Sequence, residues 1–288
     1  METAKFYIFY ISIALFVTIV VIKHLKNKDD KYRYRFVLIL STLTIVLHLI
    51  KPFFFPYNER VFPDILRKIT FENICAVSAL IYLPIILSKN KYAMDYITTI
   101  GLLGGFLAFM YPTEIILGDF DSMPITYKLG LFDFDTIRFY SVHYLIFLIP
   151  FILIYFKLHT FSLKRAIVLP ISILVILIII FVNEIILEKL GWLNELHQFY
   201  SRNIFYDKDI RNSSFVFGLP TTFKSVGVIV DVFVFKFLKE PNYFPVLWIT
   251  IPAFVYGPLI YLGFSYFADS SKTKKELNSI FMKKEHRS

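Results

Sequence analysis

The chain has 288 residues, of which 57% are hydrophobic and 19% aromatic against only 18% charged. That balance excludes a soluble globular class and gives an integral membrane protein. A net charge of +9 does not make it a nucleic-acid binder, because in a polytopic chain the placement of lysine and arginine sets topology.

A spanning helix needs about 20 mostly apolar residues. Seven such stretches lie at roughly 6 to 24, 36 to 55, 71 to 88, 95 to 112, 139 to 158, 166 to 187 and 244 to 267. The predicted fold is therefore all-α: one seven-helix transmembrane domain over residues 1–268, followed by a basic tail over 269–288. The first stretch lacks a cleavage pattern and ends in the basic run Lys23 to Arg35, which predicts a retained helix rather than a signal peptide. The segments 23–35, 88–95, 157–165 and 269–288 together hold more than half of the 31 lysines and arginines. The positive-inside rule places them in the cytoplasm, with the amino terminus outside, the carboxyl terminus inside and the plasma membrane as location.

This topology leaves long outer loops at about 56–70, 113–138 and 188–243. In the last of these, Leu190, Leu193, Leu196 and Tyr200 recur at helical spacing, which fits an amphipathic surface helix or a helix packed over the bundle mouth. Val226 to Leu238 is apolar but broken by Asp231 and too short to cross, so an interfacial or re-entrant outer segment is expected. Gly101, Gly104, Gly105 and Ala108 predict close helix packing in the fourth span, and Pro245, Pro252 and Pro258 a kink in the seventh.

Polar side chains within spans are expensive and mark sites by default. Counting about 1.5 Å per residue from the outer ends, His48 lies about 10 Å deep, and Cys75, His143 and Asn183 each about 6 Å. Four helices thus offer polar groups within one helical turn of a common level. Ser41, Thr44 and His48 share one helix face and Cys75, Ser78 and Tyr82 another, so both faces are expected to turn inward. Cys75 is the only cysteine, which excludes an internal disulfide. A thiol with a histidine beside it is one solution for acyl transfer, the thiolate attacking an ester and the imidazolium protonating the leaving group. Asn183, the other histidine or backbone donors are the candidates for steadying the oxyanion. The plainer alternative is a small core cysteine with interhelical hydrogen-bonding histidines.

Glu72 and Asn73, just before Cys75, fit either headgroup orientation or capping of the third helix. Asp119, Asp121, Asp133 and Asp135 form two carboxylate pairs that are a weaker, metal-binding alternative, although acids are ordinary in an outer loop. No cofactor is expected. Asn212, Ser213 and Ser214 form a glycosylation acceptor pattern on the outer side.

Several segments together carry a resemblance: Phe71 to Leu87 with a polar residue two before Cys75; Gly101 to Pro112; Phe139 to Pro150 with serine two before His143; Asn183; and Asn212 to Pro220. In order and spacing the chain resembles the YwaF-like bacterial integral membrane proteins. It departs from their pattern near Phe71, where a proline is expected, and at Ser213, where an aromatic is expected. The eukaryotic relative of that family is a membrane acyltransferase acting on phospholipids through a cysteine. The resemblance therefore implies Cys75 as nucleophile, His143 as general base, and membrane lipids as partners, with His48, Asn183, Glu72, Asn73 and Asn212 in supporting or substrate-binding roles. The rival reading is a non-enzymatic transporter or binder of a small molecule or lipid, in which the same polar groups recognise a solute.

Overall fold

A computed structural model describes residues 2–59, 62–110, 130–193, 214–219 and 224–285. The described residues are helical, with no strand among them. The helices are α1 (Glu2–Lys26), α2 (Asp30–Leu49), α3 (Ile74–Ser88), α4 (Lys91–Met110), α5 (Phe134–Tyr155), α6 (Val168–Lys189), α7 (Lys224–Asp231), α8 (Thr250–Ala268) and α9 (Ser270–Glu285). Six of them, or the stretches containing them, are long and apolar enough to cross a membrane, namely α1, α2, α4, α5, α6 and α8. The expected crossing at 71 to 88 forms only the 15-residue apolar helix α3. At ~1.5 Å per residue it spans about 22 Å, short of a hydrocarbon layer about 30 Å thick. The run Arg67–Asn73 precedes it, and these polar residues serve as ion-pair partners and a helix cap instead of extending the helix.

Local chemistry sets most boundaries. Asp29 caps α2 by accepting the Tyr32 amide, and Asn90 caps α4 by accepting from Tyr92 and Ala93. Pro52 stops α2 well before the expected end near Phe55, since the residue ahead of a proline resists the helical region. The chain then runs to α3 through 3₁₀ turns at Lys51–Phe53, Tyr57–Glu59 and Asp64–Ile69. Tight connections at 27–29 and 89–90 lie at one end of the bundle with the α5–α6 loop and α9; the 3₁₀ segment lies at the other.

Helix α5 is the most enclosed span, touching α1, α2, α3 and α4. Gly105 on α4 permits the closest of these approaches. A Cβ there would sit 2.7 Å from the Phe147 nitrogen and 3.0 Å from the His143 carbonyl oxygen, both backbone atoms that cannot yield without moving the helix. Outward-facing apolar side chains such as Phe16 and Phe267, 68% and 89% exposed, surround the bundle as lipid-facing residues do. This is a multi-pass membrane protein.

The end bearing the tight turns has its own buried charge cluster. Asp95 is fully buried, with His159 Nε2 at 2.7 Å and Arg165 Nε donating to it at 2.6 Å. The basic tail continues as α9, which docks on the α5–α6 loop: Lys272 donates to the Phe161 carbonyl, and Glu276 accepts from the Leu163 amide. Val226 to Leu238 takes in most of α7 and a 3₁₀ turn at Lys236–Leu238, with Val228, Ile229, Val232, Phe235 and Phe237 exposed. The expected amphipathic helix beyond Leu193 lies outside the described residues.

Candidate functional site

At the end bearing the 3₁₀ segment, α2, α3 and α5 enclose a cleft of about 340 Å³, mouth included. Its lining brings together His48, Lys51, Asn73, Cys75, Arg138 and His143. Three helices thus deliver the expected polar residues to one place, and two cations join them that residue counting had not singled out.

Each side chain is placed by local structure. Cys75 is half-buried in the first turn of α3, two residues after its capping residue. Asn73 is that cap: its side-chain oxygen accepts the Ala76 amide at 2.8 Å. The neighbouring Ile74 amide donates to the Ser214 hydroxyl at 2.8 Å, so residue 214, far along the sequence, completes the helix start. Cys75 and Ala76 line the cleft, which directs the positive end of the α3 dipole into it.

His143 hydrogen-bonds through Nδ1 to the Phe139 carbonyl at 2.8 Å. A carbonyl only accepts, so Nδ1 carries the hydrogen and the neutral ring keeps its lone pair on Nε2. His48, only 2% exposed, is held through the backbone of Ile69, and its Nε2 is buried without a hydrogen-bond partner. Ser41 and Thr44, below it on the same face, are also fully buried, each hydroxyl donating to a carbonyl of its own helix.

A dense charge network backs the cleft. Among the described buried residues at this end, the cations Lys51, Arg67, Lys68 and Arg138 meet the carboxylates Glu72, Asp135 and Glu184. Lys51 Nζ donates to Glu72 at 2.9 Å, and Lys68 Nζ lies 3.3 Å from the other Glu72 oxygen. Arg138 pairs with Asp135 one turn earlier on α5. The buried ring of Tyr57 sits among three of these cations, with Lys51, Lys68 and Arg138 each 5.5 to 5.6 Å from its centroid.

Other expected residues fall elsewhere. Asn183 does not line the cleft; its amide donates to the Thr70 hydroxyl at 3.1 Å, tying α6 to the 3₁₀ segment. Glu72 sits behind the lining and holds Lys51 there. Asp133 precedes α5 and accepts the Gly130 amide, and Asp135 is committed to Arg138. Asp119, Asp121 and Asn212 lie outside the described residues. Among the described residues no group of three His, Cys, Asp or Glu is placed to hold a metal ion.

Lys51 and Arg138 were the residues that counting missed. Lys51 directly follows the span that ends with His48, and Lys68 and Glu72 stand at i,i+4, spacing that signals a pair. Nothing in that pattern says that the pair is buried.

No curated protein and no solved structure matches the chain. A family profile does, that of the TMEM164 family, over residues 1–207, which includes His48, Lys51, Cys75, Arg138 and His143. The chain therefore belongs to the TMEM164 family, a membrane protein family.

Proposed function

We propose that this protein, which resembles the YwaF-like bacterial integral membrane proteins, transfers or hydrolyses a fatty acyl group of a membrane lipid through a thioester on Cys75. The observation that carries the reading is the meeting of Cys75 and His143 in one cleft, with the thiol on the first turn of α3 and the His143 tautomer fixed by Phe139. His143 Nε2 takes the thiol proton, and the thiolate attacks the ester carbonyl. The resulting imidazolium then gives that proton to the departing alcohol, leaving a thioester. A second hydroxyl, or water, loses its proton to His143 and attacks the thioester, which returns the thiol. The α3 dipole, Lys51 and Arg138 place positive potential where the thiolate and the tetrahedral oxyanion carry charge. Asn73 and His48 are the polar groups nearest to hand for orienting the substrate.

The topology proposed with this chemistry is seven crossings, amino terminus outside, in the plasma membrane. The short helix α3 serves as the third crossing, with the charged 3₁₀ segment filling the depth it leaves at the outer end. The lysines and arginines at the opposite end, including those of α9, support a cytoplasmic assignment there. This orientation opens the cleft toward the outer leaflet.

The test is labelling with a thiol-directed acyl probe in membranes. Wild type is labelled and Cys75→Ala is not, while His143→Ala keeps its fold and loses turnover. Equal labelling of wild type and Cys75→Ala sinks the reading.

A further inference from the structure

We infer that residues 224–240 form a lipid-docking surface, a wedge seated on α8 that enters the acyl-chain layer of the leaflet on the cleft side. The inference stands apart from the chemistry of Cys75. Helix α7 and the 3₁₀ turn at Lys236–Leu238 leave large apolar side chains uncovered. Val228 and Val232 stand one turn apart at the end of α7 with Ile229 beside them, and Val232 is 72% exposed. On the returning limb Phe235 and Phe237 are exposed too, their rings stacked with centroids 5.5 Å apart. An apolar face of this kind marks an interaction surface. Three observations assign acyl chains as its partner.

The first is polar pairing within the segment, which hydrocarbon demands of any chain that enters it. The amides of Val232, Phe233, Val234, Leu238, Lys239 and Glu240 each bond to a carbonyl of the segment itself. Asp231, which breaks the apolar run, is neutralised by Lys239 Nζ at 2.6 Å. Lys236 pairs with Glu240 at 3.3 Å and has a stem long enough to lift its ammonium toward the headgroups. The second is depth. The Tyr256 hydroxyl donates to the Ile229 carbonyl at 2.8 Å, and its ring meets Phe233 edge-on with centroids 5.7 Å apart. Tyr256 lies about 9 Å along α8 from Thr250 at ~1.5 Å per residue, within the roughly 5–10 Å to which interfacial elements sink. The third is continuity. Leu259, one turn beyond Tyr256 on this spanning helix, is 60% exposed, so the wedge lies beside surface that already faces lipid.

The mount of the wedge shows which leaflet it enters. Gly227 on α7 leaves room for the Leu219 side chain, and Tyr243 packs so closely on Gly218 that a Cβ there would sit 2.7 Å from its ring. Trp248 Nε1 donates to the Phe215 carbonyl at 3.0 Å, and the adjacent Ser214 is the residue that accepts the Ile74 amide at the start of α3. Wedge and cleft therefore share one end of the bundle, and the apolar face is held outward from a packed base.

The experiment uses the full chain in phosphatidylcholine vesicles, with Cys75→Ser removing the one native cysteine. In that background Val232→Cys, Phe235→Cys and Phe237→Cys each receive a nitroxide label. Phe16→Cys on α1, 68% exposed at a lipid-facing position, and Asp30→Cys, at a solvent-exposed side chain, serve as references. Electron paramagnetic resonance reads collisions with dissolved oxygen, which concentrates in hydrocarbon, and with a water-soluble nickel chelate. Oxygen collisions should exceed chelate collisions at all three wedge positions, as at Phe16, and the order should reverse at Asp30. Chelate collisions in excess at the wedge overturn the proposal. Low collision rates with both reagents overturn it as well, because they mean that a second copy or a partner protein covers the face. Should one label prevent folding, the other two positions decide.

Discussion

Replacing Glu72 by glutamine tests the charge network directly. Glu72 is 4% exposed, and its carboxylate is shared by Lys51 Nζ at 2.9 Å and Lys68 Nζ at 3.3 Å. The substitution keeps shape and volume but leaves two ammonium groups facing a neutral amide away from water. Breaking a buried pair by removing one partner costs about 3–5 kcal/mol, against about 0–1 kcal/mol for an exposed pair. At roughly 2–4 °C per kcal/mol for a chain of this order, the melting temperature should fall by about 10 °C. The assay is thermal unfolding of purified protein in a mild uncharged detergent, run as a double-mutant cycle with Lys51→Met. The double variant should be less destabilised than the sum of the single changes, because it removes one of the two stranded ammonium groups along with the acid.

A destabilisation under about 1 kcal/mol, or strict additivity in the cycle, would refute the picture of a buried network.

Four further outcomes follow from the geometry. Gly105→Ala forces a Cβ against backbone atoms of Phe147 and His143, so α4 must shift; a loss of about 1–3 kcal/mol is expected by thermal unfolding, with reduced probe labelling of Cys75. Ser214→Ala removes the acceptor of the Ile74 amide and should cost about 1 kcal/mol, measured the same way. Asp95→Asn leaves Arg165 without its carboxylate at the opposite end of the bundle and should cost about 3–5 kcal/mol, whereas Asp30→Ala, which breaks a solvent-exposed pair with Arg33, should cost under about 1 kcal/mol.

Helices α1, α4, α5, α6 and α8 were legible as apolar stretches, with ends within about four residues of those expected except at the starts of α5 and α8. Lipid requires every backbone polar group to be paired within its own segment, so composition alone nearly fixes a spanning helix. The end of α2 was misplaced because Phe53, Phe54 and Phe55 look membranous by hydropathy while Pro52 has already broken the helix. The apolar stretch at 71 to 88 was legible in position but not in length: polar residues up to Asn73 remain outside the helix and make ion pairs and caps that only a folded neighbour supplies.

The sequence by itself determined the membrane class and set an expected depth for each polar residue, because depth along a helix is a count of residues. It could not determine azimuth, the direction each side chain faces once helices pack. His48, Cys75 and His143 share a cleft because α2, α3 and α5 turn those faces together, with Gly105 letting α4 lie close against α5. Asn183, at the same counted depth, faces Thr70 instead. Nor could it show that Lys51 and Arg138 line that cleft, with Glu72 and Asp135 held behind them. Such burial is stable only when opposing charges meet at hydrogen-bonding distance, and the meeting of Lys51 with Glu72, from separate elements, belongs to the tertiary structure.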